Sequence, residues 1–222
     1  MKDVIFWFSG TGNTRSVAAK VASSLGGASQ LAMVTATGRE AAGAETVGIA
    51  FPVYYFGLPL YVLDFLRRLE VSEDAYVYTM ATMGGSPGIA HGEAANILDQ
   101  RGIHLAAGWS VKMPGNYTPF YGAPSLRAQG KCFAAAAAKA TRIAAAVEAR
   151  QPAPLEDSLL PMRVVSPLFR RVAKWRIPSR DRAFRVREHC TSCGICEQVC
   201  PAHNLKIVDG GPVWGGHCEE CM

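Results

Sequence analysis

The chain contains no run of about 18 uninterrupted apolar residues, so no membrane-spanning helix is expected. Its start, Met1-Lys2-Asp3-Val4, lacks the charged region, apolar stretch and cleavage site of a secretory leader. Cysteine is almost absent before Cys190: of the 7 cysteines, only Cys132 lies earlier. A disulfide-stapled secreted domain is therefore not expected. Free or metal-bound thiols suit a reducing compartment, which points to the cytoplasm. There is no Ser/His/Asp set, no pair of catalytic carboxylates, no Gly-Lys-Ser/Thr phosphate loop and no second nucleotide fingerprint, so no NAD(P)H-binding domain is evident. Acidic residues are missing from one long stretch. Between Ser158 and Arg187 the cations are Arg163, Arg170, Arg171, Lys174, Arg176, Arg180, Arg182, Arg185 and Arg187, against Asp181 alone. The formal net charge of +5 therefore belongs to one connecting segment, and the remainder is slightly acidic. Nucleic-acid binding is not expected, because the cations accompany no recognisable binding fold.

What is present is an ordinary globular composition: 222 residues, 49% hydrophobic and 18% charged. Asp3 to Phe8 reads as a buried strand, and Val17, Ala18, Val21 and Leu25 have helical spacing from Thr14 onward. Further strands are expected at Ser29 to Thr35, Thr46 to Phe51, Ala75 to Thr82 and Ile103 to Val111. Helices are expected at Leu60 to Leu69, Ile89 to Arg101 and Ser125 to Arg150. Strands alternating with helices predict an α/β domain with a doubly wound five-stranded parallel sheet of order 2-1-3-4-5. Pro152 and Pro154 end the helical pattern. The expected division is a sheet domain over 1–151, a basic linker over 152–184 and a small terminal module over 185–222.

The terminal module carries Cys190-x-x-Cys193-x-x-Cys196-x-x-x-Cys200-Pro201. Three cysteines at three-residue steps wrap one corner of an iron–sulfur cube, and the fourth points toward a second cube. A further fragment, Cys218-Glu219-Glu220-Cys221, opens a second motif just before Met222. A zinc site from Cys193, Cys196, Cys218 and Cys221 is the alternative, but it leaves Cys190 and Cys200 unused. A piece of about 35 residues needs such a staple to fold.

The segment resembles the bacterial two-cluster ferredoxins. The resemblance implies that Cys190, Cys193 and Cys196 hold one 4Fe-4S cluster, and that Cys200, Cys218 and Cys221 hold three corners of another. Each cluster is then one ligand short. The expectation is a chain truncated at Met222, or one with three-iron or otherwise incomplete clusters.

At the other end, Ser9-Gly10-Thr11-Gly12-Asn13-Thr14 follows the first strand and opens the first helix. Backbone N–H groups at a helix start attract anions, and hydroxyls donate to phosphate oxygens without adding charge. A cation-free phosphate site suits a monophosphate ester. This loop, with the element order over roughly 1–150, resembles the flavodoxin family. The resemblance implies FMN at the C-terminal edge of the sheet, with Ser9, Thr11, Gly12, Asn13 and Thr14 around the phosphate. Two more loops would complete the site. In Pro52-Val53-Tyr54-Tyr55-Phe56-Gly57, Tyr54 and then Tyr55 are expected against the flavin ring. In Thr82-Met83-Gly84-Gly85-Ser86-Pro87-Gly88, the backbone would meet its edge. Asn116 and Tyr117 follow the last strand and could reach the ring too.

A sheet domain with FMN joined to an iron–sulfur segment resembles flavodoxin–ferredoxin fusion proteins. That implies electron transfer between the two centres, within one chain or across a homodimer, for a redox partner protein. Two alternatives stand beside it: an FMN-dependent reductase of a small substrate, and a sheet domain with a zinc-stapled interaction tail. Cys132 reads as a core thiol, His91 as a surface histidine and His104 as a sheet-edge one. His189 and His217, beside the cluster cysteines, read as exposed. The bridge from Leu159 to Trp175 mixes apolar and basic residues, and Pro161 and Pro167 argue against one continuous helix. Its preferred role is a linker whose apolar side packs on the sheet domain. A basic dock for an acidic redox partner comes second, and an amphipathic helix at an anionic membrane third.

Overall fold

The computed structural model describes residues 2–118, 122–186 and 189–221, with the side chains of Leu160 and Arg163 left aside. Arg187 and Met222 lie outside the described residues. Five strands, β1 (Asp3–Trp7), β2 (Ser29–Ala32), β3 (Thr46–Pro52), β4 (Tyr76–Met83) and β5 (Leu105–Lys112), form one parallel sheet in the order β2-β1-β3-β4-β5. The expected topology is the one observed. Helices α1 (Asn13–Ser24), α2 (Leu60–Arg68), α3 (Ala90–Asp99) and α4 (Leu126–Glu148) cover its faces.

The pleat sorts the strand residues into two cores. Val4, Phe6, Val47, Ile49 and Phe51 join Val62, Phe65 and Leu66 of α2 and Leu98 of α3. Ile5, Tyr78, Met80 and Trp109 face Val17 and Val21 of α1 and Ala140, Ile143 and Val147 of α4. The alanines of α4 let its backbone come close to α1. Ser125 caps that helix by accepting from the Ala128 N–H.

The segment after α4 is not a free linker. It runs beside β5, with a Gly108–Leu155 bridge, and the Glu156 carboxylate accepts from the Ser110 N–H. Asp157 accepts from the His91 and Gly92 N–H groups at the start of α3.

Next comes α5 (Leu160–Arg176), one continuous helix despite its two prolines. Pro161 stands in the first turn, where no intrahelical donor is lost. Pro167 stands inside it, and the neighbouring Ser166 hydroxyl bonds back to the Met162 carbonyl. The direction of packing is also reversed from expectation. Ser166, Arg170 and Ala173 face inward, whereas Val164, Leu168 and Trp175 are exposed.

Arg170, only 3% exposed, is the reason for the reversal. Its guanidinium pairs with Glu93 and donates to the Tyr54 and Leu58 carbonyls. A 3₁₀ segment, Ile177–Ala183, leads to the terminal module of α6 (Ile195–Val199) and the hairpin β6 (Leu205–Val208) and β7 (Gly211–Trp214).

His91, expected at the surface, is fully buried. Its ring bonds to the hydroxyls of Thr79 at 2.7 Å and Ser110 at 3.0 Å. Alternating helix positions cannot reveal that two hydroxyls wait for it across the sheet. His104, expected at the sheet edge, is exposed and directly precedes β5, an outer strand. Burial, and then the Lys139 charge, push the His91 pKa down to about 3, so the ring is neutral. In the unfolded chain it titrates near about 6.5. As pH falls, the unfolded state takes the proton first. The stability contributed by a neutral His91 is therefore complete above about pH 6.5 and falls below it, by up to about 1.4 kcal/mol per pH unit. Urea unfolding should show about 2 kcal/mol more loss between about pH 7 and about pH 5 in the native chain than in His91→Gln. Equal losses would remove His91 as the cause.

Candidate functional site

The loop between β1 and α1 is held from several directions. Gly12, at φ 98°, takes the left-handed conformation that turns the chain into α1, and no side chain caps that helix. The first N–H groups of α1 are left to an outside acceptor. The Gly12 N–H bonds Ser9 Oγ at 3.1 Å. Thr14 Oγ1 lies 2.7 Å from Thr82 Oγ1, joining this loop to the end of β4. Asn13 donates to the Pro114 carbonyl at 3.0 Å, and Asn116 donates to Thr11 Oγ1. The loops after β1, β4 and β5 are thus tied together at the C-terminal edge of the sheet, where ligands bind in open α/β sheets.

They enclose a cavity of about 440 Å³. Of the residues expected there, Ser9, Thr11, Asn13, Thr14, Pro52, Tyr54, Tyr55, Phe56, Thr82, Gly84, Gly85, Asn116 and Tyr117 line it. Gly12 and Gly57 do not line it. Gly12 shapes the turn. Gly57 pairs with the Tyr54 backbone at 3.0 Å and packs against Arg170 and Glu93, where a Cβ would not fit. No Lys or Arg is among the lining residues; the one charged side chain is Glu220.

Glu220 and Cys221 were not expected here from the sequence. Both belong to the second cysteine fragment, which forms one wall of the cavity. A Cβ on Gly10 would sit 2.7 Å from Tyr54 Oη and 2.8 Å from Cys221 Cβ, so only glycine allows this approach. Glu220 accepts from the hydroxyls of Tyr55 and Tyr117 and pairs with Arg180. Burial, and then the Glu220 bond, hold the Tyr55 hydroxyl well above its usual pKa, so it stays a donor. Glu219 accepts from the Leu60 N–H at 2.9 Å and from the Tyr61 N–H, at the start of α2. Burial lifts its carboxyl to about 7 against the pull of those two donors. The carboxylate sits on an uncapped helix N-terminus, where the helix dipole favours it.

The other cysteines divide by exposure. Cys190 and Cys193 are exposed and Cys196 is half-buried. Gly194, at φ 76°, turns the chain into α6 between Cys193 and Cys196. Cys200 accepts from the Asn204 N–H, and Cys218 from the Glu220 N–H. Burial, and then the neighbouring Cys200 and Cys218, push the Cys221 thiol up to about 12. These three thiols share one surrounding, and as thiolates they need a cationic centre among them. Among the described residues, no three His, Cys, Asp or Glu side chains are grouped to hold a single metal ion, which holds for the alternative zinc set and for the two cluster sets alike. Asp181, the one acid between Ser158 and Arg187, is buried and accepts from Asn204 and from the Gly216 N–H at 2.9 Å each. It moors the hairpin to the 3₁₀ segment. Cys132, expected in the core, is half-buried and its thiol reaches the Lys112 carbonyl. His189 and His217 are exposed.

The 4Fe-4S binding domain family (Fer4) matches residues 184–206, which hold Cys190, Cys193, Cys196 and Cys200. The chain joins a flavodoxin-like sheet to a ferredoxin-type iron–sulfur segment. No curated protein matches it. Among solved structures, it is similar to rubredoxin oxygen:oxidoreductase from the anaerobe Desulfovibrio gigas, with 21% identity and a TM-score of 0.45. That match covers 68% of this chain but only 37% of the other. It is also similar to two-electron reduced Megasphaera elsdenii flavodoxin, with 18% identity, a TM-score of 0.43, and 63% and 99% of the two chains covered. A third is the azoreductase from Bacillus anthracis str. Sterne, with 10% identity, a TM-score of 0.47, and 65% and 99% covered. Among the described residues, no helix is long and apolar enough to cross a membrane.

Replacing Glu219 with Ala leaves two α2 donors without their acceptor, a loss of about 1–3 kcal/mol. Hydrogen exchange should accelerate at the Leu60 and Tyr61 amides and throughout 218–221, with the amides of β3 and β4 unchanged. Unaltered protection at Leu60 and Tyr61 would contradict the docking role.

Proposed function

We propose that the protein is an electron carrier, with FMN in the cavity at the sheet edge and iron–sulfur clusters in the C-terminal segment, serving a redox partner protein. The supporting observation is that Cys221, a candidate cluster ligand, lines the same cavity as the Ser9–Thr14 loop. With Cys221 as a ligand, the second cluster would be held at the wall of the cavity that would hold FMN.

The residues present fit the group. Hydroxyls, an amide and the free N–H groups of α1 surround the expected phosphate position, with no cation among the lining residues. Tyrosine rings and the Gly84-Gly85 backbone line the wider end of the cavity, and its volume suits a cofactor-sized ligand. When bound, FMN would take two electrons as a pair and release them singly, which suits one-electron centres.

Thr11, Asn13 and Thr14 bind the phosphate in this reading, with Ser9 fixing the loop behind them. Tyr54, Tyr55, Phe56 and Tyr117 confine the ring, and Gly84 and Gly85 present backbone to its edge. Glu220, clamped by Tyr55, Tyr117 and Arg180, closes the wall against water. Cys190, Cys193 and Cys196 hold one cluster, and Cys200, Cys218 and Cys221 hold corners of another. A reducing compartment such as the cytoplasm suits these thiolates.

An anaerobic visible spectrum of the purified protein tests the reading. A flavin band and a broader iron–sulfur absorption should both bleach with dithionite, and iron and acid-labile sulfide should be present. Stoichiometric zinc without sulfide would overturn the cluster assignment. Thr11→Leu should weaken FMN binding by about tenfold, the equivalent of one lost hydrogen bond to a charged acceptor. Cys193→Ala should lose cluster iron and keep FMN. Unchanged FMN affinity in Thr11→Leu would count against the phosphate loop.

A further inference from the structure

We infer that the outward face of α5 is a docking surface for an anionic lipid bilayer. The helix is packed the opposite way round from a helix of a globular domain, whose apolar stripe faces the core. Its inward face is Ser166, Arg170 and Ala173, continued by Ile177. Its outward ridge is Val164, Leu168 and Trp175, which are 73%, 69% and 81% exposed. Val165, Phe169 and Val172 widen that ridge and are exposed as well. Contiguous exposed apolar surface of this kind marks an interaction site.

Charge decides among the occupants. From Leu160 to Arg176 the helix holds no acidic residue. Arg170 and Lys174 are committed to Glu93. Arg171 and Arg176 are exposed and have no ion-pair partner among the described residues. At about 100° per residue they fall on opposite sides of the Leu168–Trp175 ridge. Counting Val165, Phe169 and Val172, Arg171 borders the apolar face on one side and Arg176 stands within it near the C-terminal end, an arrangement that suits a flat anionic surface. The apolar side chains enter the acyl boundary while the cations meet lipid phosphates. A tryptophan near the helix end suits the headgroup level. A second copy of the chain on this face would bring another set of exposed guanidinium groups and no acidic side chain of α5 to meet them, and like charges oppose that pairing.

The surface lies next to the cavity. Phe169 meets Phe56 of the cavity wall edge-on at 6.1 Å, and Arg170 holds the carbonyls of Tyr54 and Leu58. A bilayer on this face would hold the cavity loops close to the membrane surface.

Sedimentation of the full chain with vesicles tests this. Vesicles of phosphatidylcholine with an equal part of phosphatidylglycerol should bind it at low salt and release it at high salt, and pure phosphatidylcholine vesicles should bind it weakly. A blue shift of tryptophan emission should accompany binding and disappear in Trp175→Phe. Leu168→Ser combined with Trp175→Ser should weaken binding by about tenfold or more. Arg171→Glu combined with Arg176→Glu should abolish it, with far-ultraviolet circular dichroism and the thermal midpoint unchanged in both variants. Absence of binding to the anionic vesicles overturns the inference, as does binding that both double variants retain. A concentration-dependent dimer abolished by Leu168→Ser/Trp175→Ser, without vesicle binding, assigns the face to a second copy and overturns it too.

Discussion

The buried pair of Glu93 and Arg170 is the constraint on which the functional edge of the molecule depends. Between β3 and α2 the chain crosses from Val53 to Pro59 without regular structure, and a buried loop must find partners for its backbone groups. Glu93 of α3 accepts the Leu58 N–H at 2.9 Å, and Arg170 of α5 donates to the Leu58 and Tyr54 carbonyls. The loop that carries Tyr54, Tyr55 and Phe56 is thereby fixed by two helices that both follow it in sequence. Removing Glu93 would leave the buried Arg170 guanidinium without its counter-charge, the costly way to break such a pair, whereas without Arg170 the Glu93 carboxylate keeps Lys174. The same pair explains why α5 turns its polar side inward. The loop needs donors, and an arginine at that helix position supplies them.

A second dependence follows from the first. With the loop fixed, the N-terminus of α2 presents the Leu60 and Tyr61 N–H groups to Glu219. Glu220, one residue on, reaches Tyr55 and Tyr117. The Cys-Glu-Glu-Cys fragment is therefore held by its two carboxylates, while its two cysteines face Cys200 and the cavity. The two glutamates between the cysteines are docking groups.

The sheet order and the loops that form the cavity were legible in the sequence, because strand patterning, the Ser/Thr/Gly loop and the Gly84-Gly85 turn are local signals. The cysteine spacing was legible for the same reason. Contacts between residues distant in sequence were not. Nothing near Glu220 indicates that Tyr55 and Tyr117 will meet it, and nothing near His91 indicates Thr79 and Ser110. The bridge departs from its sequence pattern for a physical reason: proline favours a break, yet Pro161 falls in a first turn and Pro167 follows a serine that bonds back along the helix. Burial against a core is the usual fate of an apolar stripe such as the one on α5. Arg170 reverses that by satisfying buried carbonyls.

The segment after α4 has one more consequence. In the order β2-β1-β3-β4-β5, β5 is an outer strand, and outer strands offer unpaired backbone groups to any other chain. Leu155 bridges to Gly108 along that border, and the Glu156 carboxylate occupies the Ser110 N–H. The residues that lead the chain away from the sheet thus act as a selvage, sealing the sheet against lateral growth. A sheet domain cut off immediately after α4 would keep its strands and lose that protection, and its first failure would be association with its own copies.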